Sequence, residues 1–165
     1  MKAPSTKRIF VPLAALAAAL AIAVAPAVGA DPTRDDYAAK AEPICKANTQ
    51  ANTKILKGAR ANVTKKRFAI AAGQFSRAAG ALERTAKQLK RIAQPPADTA
   101  TLARWLGQVN SQVAQLRKIS KALRAKNRFK AQSLVVRLTQ NANQANALVA
   151  NFGFNYCKFR PSRFT

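Results

Sequence analysis

The sequence of 165 residues has no histidine, one methionine at its start and only six acidic residues. Each shortage removes a chemistry. Without histidine, and without methionine beyond Met1, the usual haem ligands of helical proteins are missing, and no CxxCH attachment motif occurs. Di-iron carboxylate bundles need Glu-x-x-His pairs, and zinc sites need clustered Cys, His and carboxylates. A serine or cysteine nucleophile activated by histidine is equally out of reach. No cofactor and no metal is expected.

Catalysis by a pair of carboxylates is the one route left open, and the placement of the acids argues against it. Asp31, Asp35 and Asp36 fall in the lead-in or first turn of the first helix, where acids favour a helix start. Asp98 reads as a helix cap. Glu83 falls on the outward side of the second helix, four residues before Lys87. We expect neither an enzyme nor a small-molecule substrate.

Cysteine is also scarce. Cys45 and Cys157 stand near the two ends of the chain that follows the leader. In an exported protein such a pair reads as one disulfide, a structural staple around a loop of more than a hundred residues.

Long apolar runs occur once, at the start. Met1–Arg8 is basic, 9–28 is mostly Ala, Leu, Val and Ile, and Val28-Gly29-Ala30 offers small residues at the −3 and −1 positions. This pattern predicts a signal peptide over residues 1–30, cleaved after Ala30, with Ala27 as the second choice of site. An uncleaved signal anchor is the alternative, since the run is nearly long enough to span a bilayer. The absence of a cysteine at the cleavage site speaks against a lipoprotein.

The rest of the chain is organised around 64–96. Phe68, Phe75, Leu82 and Leu89 recur every seven residues, with Ala71, Ala78, Thr85 and Ile92 three residues after each. That spacing predicts one long helix with an apolar seam. The adjoining positions Ala72, Ala79, Ala86 and Ala93 are all alanine, which allows a close neighbour. A first helix is predicted from about Arg34 to Lys57, with Thr33 and Asp36 as a capping box. Its seam is Tyr37, Ala41, Ile44, Asn48, Ala51 and Ile55, and Pro43 is expected to kink or split it. Gly58 ends it, before a loop to about Val63. Pro95-Pro96 stops the second helix. Asp98 caps a third, with Leu102, Leu106, Val109, Val113, Leu116 and Leu123 inward, joined by Trp105 and Ile119. Asn127 caps a fourth that ends at Gly153. Together these elements predict an all-α fold, an antiparallel up-down-up-down four-helix bundle over 31–153. A basic, aromatic tail of 154–165 is stapled through Cys157. Its rings up to Tyr156 are expected to cover the bundle end.

What the chain has in excess is positive charge. Lys and Arg number 29, for a formal net charge of +23, and from Thr99 to Thr165 there is no acid at all. Soluble helix faces normally mix both signs, and charge so far from zero strains the compact state. A polyanionic partner is therefore expected: anionic lipid, a cell-wall polymer or nucleic acid. The candidate residues are Arg77, Arg84 and Arg91, at one heptad position, with Lys87 beside them, and Lys118, Lys121 and Arg124 as a second set. Gly73 and Gly80, seven apart on the outward side of the same helix, read either as a contact surface or as neutral drift.

The arrangement Tyr37…Ile44-Cys45, Pro95-Pro96, Leu102…Trp105 and Gly153-Phe154…Cys157 resembles small, exported, Ala-rich helical proteins of actinobacteria, themselves uncharacterised. The resemblance implies no catalytic or binding residue. The expectation is thus a secreted or envelope-associated, non-enzymatic, polyanion-binding protein with possible peripheral membrane contact. The alternatives are an extracytoplasmic holdase or a structural or adhesive envelope module.

Overall fold

The computed structural model describes residues 30–160. The predicted signal peptide, up to Gly29, and the last five residues of the tail lie outside them.

The described chain is all-helical, with four long helices, one short one and no strand: α1 (Arg34–Leu56), α2 (Ala59–Thr64), α3 (Phe68–Leu89), α4 (Thr99–Arg124) and α5 (Arg128–Leu148). Short 3-10 turns, Pro96–Asp98 and Ala150–Phe152, flank α4 and α5. Among these described residues, no helix is long and apolar enough to cross a membrane.

The start of α1 is a capping box built with aspartate. Asp36 N–H donates to Thr33 Oγ1 at 3.1 Å, while Thr33 N–H and Oγ1–H both donate to Asp36 Oδ2, at 2.9 and 2.6 Å. The side-chain hydrogen bond from Thr33 holds the Asp36 carboxyl below its ordinary pKa.

Pro43 does not split α1 into two pieces; the helix runs unbroken through it. Pro43 sits on the exposed side, and so does Ala39, whose carbonyl loses the bond that Pro43 cannot give, so water can take its place. The buried line also differs from the expected seam. It follows Tyr37, Ala41, Cys45, Asn52 and Leu56, leaving Ile44, Asn48, Ala51 and Ile55 half-buried. Cys45 faces inward because it is bonded to Cys157 (S–S 2.02 Å), and the face of the helix turns with it. A disulfide is compatible with an oxidising, extracytoplasmic compartment.

The expected loop after Gly58 is instead α2. Gly58 has φ +74°, a left-handed turn that allows the chain to re-enter a helix at Ala59. Gln74 fastens this corner: its Nε2 donates to the carbonyls of Ile55 and Lys57, both at 2.9 Å, and its Oε1 accepts from Asn62 Nδ2 at 3.0 Å.

Helix α3 packs most intimately on α4, and α4 on α5, followed by α1 on α3 and α2 on α3. Ala72, Ala79 and Ala86 are buried at the seam of α3. At one of these alanines the approach is close enough for Ser120 Oγ on α4 to donate to the carbonyl of Ala72 at 2.8 Å. Trp105, 2 % exposed, lies in the core with Leu102, Ile119 and Leu123.

Two further expectations are corrected. α3 ends at Leu89, so Arg91 lies in the turn beyond the helix and not in its last heptad. Asp98 occupies the cap position of α4 but makes no capping bond. Its ψ is −1°, and a capping side chain needs extended backbone to reach back to the first amides. Asn127 does cap α5, accepting from Lys130 N–H at 2.9 Å.

Candidate functional site

Asp36, Glu42 and Asp98 mark one end of the molecule. Arg34 grips the Asp98 carboxylate with both arms of its fork, Nε to Oδ2 at 2.9 Å and Nη2 to Oδ1 at 2.7 Å. That hydrogen-bonded pair holds Asp98 below its ordinary pKa and raises Arg34. The same guanidinium lies 5.0 Å from the ring centre of Phe152. Beneath it, Phe152 and Phe154 stack with Tyr37 and Trp105, at centroid distances of 5.4 to 6.4 Å. Burial pushes the Tyr37 hydroxyl up to about 12. Glu42 receives the backbone amides of Asn155, Tyr156 and Cys157 at 3.0 to 3.1 Å, fixing the loop that carries the disulfide. Asn146 clamps the next stretch, exchanging two hydrogen bonds with the Phe159 backbone, each at 2.9 Å. Rings and carboxylates here hold the tail onto α1 and α5.

The predicted basic residues lie elsewhere. Arg77, Arg84 and Lys87 are exposed on the outward face of α3, with Arg91 exposed in the turn after it. Lys118, Lys121 and Arg124 are exposed on α4, the helix packed against α3. Between the two sets, Arg117 Nη2 bridges to Glu83 Oε2 at 2.7 Å, so Glu83 pairs across the helices and not with Lys87. This is an exposed bridge, worth little on its own. None of the seven predicted cations takes part in an ion pair among the described residues. The packing does not require glycine at 73 or 80: the atoms nearest to an added Cβ are Arg77 Nη1 at 3.5 Å and Arg84 Nη1 at 3.7 Å, ordinary contact distances.

A second basic concentration is not visible from heptad spacing. The turns Lys65–Arg67 and 125–127 are near duplicates, each closing a helix with a bond from five residues on, Arg67 N–H to Asn62 O at 2.7 Å and Asn127 N–H to Ala122 O at 2.9 Å. In each, the residue in the left-handed conformation is a lysine, Lys66 at φ +57° and Lys126 at φ +55°. Glycine or asparagine is the favoured occupant of such a position, and another side chain costs about 1 kcal/mol or more. Arg60, Lys65, Arg67, Arg128 and Lys130 surround these lysines, all exposed, and no acid occurs between Pro43 and Leu82 or after Asp98. Phe129, 87 % exposed, projects among them. Behind these turns a groove of about 360 Å³ opens between α2, α4 and α5.

Comparison of the chain with protein-family models, with curated proteins and with solved structures finds no match.

Proposed function

We propose that this is an exported, non-enzymatic protein, its leader removed, whose four long helices form an antiparallel bundle and whose basic faces on α3 and α4 bind a polyanion. One observation carries the reading. Seven exposed cations, Arg77, Arg84 and Lys87 on α3, Arg91 in the turn after it, and Lys118, Lys121 and Arg124 on the neighbouring α4, lie without acid partners among the described residues. Their mutual repulsion destabilises the folded state unless an external anion relieves it. Anionic lipid, cell-wall polymer and nucleic acid all present phosphate or carboxylate at repeating intervals, which suits a row of cations. The disulfide suits an extracytoplasmic setting.

The test is binding of the purified protein to phosphatidylglycerol vesicles and to duplex DNA, at low and at physiological salt. The reading expects binding to at least one of them that survives physiological salt and is lost in the triple variant R77E/R84E/R91E. Binding to both that disappears with salt would reduce the charge to nonspecific counterion release and sink the reading.

A second reading is favoured by the exposed Ile70, Phe129 and Val136. Such residues beside a basic surface suit an extracytoplasmic holdase, which would suppress aggregation of an unfolding client protein in the absence of any polyanion.

A further inference from the structure

The groove between α2, α4 and α5 exists because its walls belong to different packing partners. α2 rests on α3, and α5 rests on α4, so the two diverge and leave a trough between them. Phe75 from α3 with Ile119 and Leu123 from α4 lie beneath it almost wholly buried, and its open apolar surface comes from Val63 on the α2 side and Val135 and Val136 on the α5 side. Arg60 stands on the α2 wall and Arg128 on the α5 wall. Neither arginine has an acid partner among the described residues. The volume of about 360 Å³ falls within the range of small-molecule sites.

The chemistry of the trough selects a class of ligand. A free phosphate or sugar polymer would meet the arginines but leave the valines on the two sides wet. A neutral hydrocarbon would cover the valines and leave both guanidinium groups without an anion. A molecule with one apolar chain and one anionic head satisfies both. A carboxylate also matches the planar fork of arginine, which can grip both oxygens.

We propose that this groove binds a fatty acid, its chain against the valines of the two sides and its carboxylate held between Arg60 and Arg128. Each methylene buried strengthens binding roughly fourfold. Affinity therefore climbs with chain length and levels off once the groove is full. This inference rests on the groove alone and is independent of the polyanion reading, which depends on α3 and the outward face of α4.

The experiment titrates the purified protein with saturated fatty acids of eight to sixteen carbons, each below its micelle concentration, by displacement of a fluorescent fatty acid. Dodecanol serves as the uncharged control. The expected result is saturable one-to-one binding of laurate. Affinity rises with chain length, by up to roughly fourfold per methylene, and flattens once the groove is full. The double variant R60Q/R128Q, altered only at exposed positions, loses at least tenfold in laurate affinity while its weak dodecanol affinity is unchanged. Val135→Trp, which narrows the trough, weakens both ligands. R77E/R84E/R91E binds laurate as the unmodified protein does. Absence of laurate binding, independence of chain length, or undiminished binding by R60Q/R128Q would overturn the proposal. So would binding confined to intact anionic vesicles, which would make the groove part of a membrane-facing surface and not a ligand site.

Discussion

The two ends of this molecule spend their charged and aromatic residues in opposite ways. At the disulfide end, Asp36 caps a helix, Asp98 pairs with Arg34, Glu42 holds three amides, and four rings interlock beneath them. The carboxylates here are each paired within the protein itself. At the groove end no acid is present, two lysines occupy left-handed positions, and Phe129 points into solvent. Residues there are placed against local preference, and the charges have no acid partner among the described residues. The difference separates residues that make the fold from residues that leave something over for a partner. Mutations at the first end should cost stability and spare binding. Mutations at the second should do the reverse.

The largest effect expected is from the disulfide. Cys45 and Cys157 are 112 residues apart, and closing so long a loop restricts the unfolded chain by about 4–5 kcal/mol in the chain-entropy picture. Urea unfolding of C45S/C157S should show most of that loss, with vesicle or DNA binding retained at low temperature. A loss under 1 kcal/mol would mean that the rings and Glu42 alone hold the tail.

Glu42→Gln comes next. It removes the charge from an acceptor serving three amides, and about 1–3 kcal/mol should be lost. Binding should again be unaffected, and a drop in binding with no change in unfolding would blur the division between the two ends.

The groove end offers the opposite sign. Lys66→Gly and Lys126→Gly relieve two left-handed backbones, and each should stabilise the fold by about 0.5–1 kcal/mol. Together they also withdraw two charges, so polyanion binding should weaken while the melting temperature rises. Destabilisation by both would mean that the lysines make contacts important to the turns.

The smallest effect is confined to acid. Thr33 and Arg34 hold the Asp36 and Asp98 carboxyls below their ordinary value of 3.8. A carboxyl lowered in the folded state contributes stability above its unfolded pKa and loses it as pH falls through the folded one. Stability should therefore be indifferent to these two groups at neutral pH and decline below about pH 4. In D36N/D98N that acid decline should be shallower, measured as the urea midpoint from pH 6 to pH 2. An identical decline would assign it to other carboxyls.

Much of the helical pattern was legible because it is periodic. The seven-residue spacing of Phe75, Leu82 and Leu89 locates α3, and the alanines beside it anticipate the close approach of α4. The pairing of Cys45 with Cys157 follows from having only two cysteines in a chain expected to be exported. Asn127 caps α5 through a bond spanning three residues, a range over which sequence is informative. Long-range choices were hidden. Asp98 was open to local capping or to Arg34, 64 residues away, and only the packed fold brings that arginine within reach. Glu42 carries no sign of its amide partners because backbone amides have no sequence. The one available clue to the α1–α2 corner was Gln74, a polar residue among buried seam positions, where it must find partners. Of the candidate site, the basic rows on α3 and α4 could be read from spacing. The groove could not, since it lies where two helices fail to meet.

The most direct test of the division sets position against net charge. Two variants remove four cations each: one from α3 and α4 (R77Q/R84Q/K118Q/K121Q), the other from α1 and its C-terminal edge (K40Q/K46Q/K54Q/K57Q), all exposed positions. Binding of each to phosphatidylglycerol vesicles and duplex DNA is measured at physiological salt. The account predicts at least a tenfold loss for the first variant and little change for the second. Equal losses would contradict it, because the protein's affinity would then follow its total charge and not the faces that carry it.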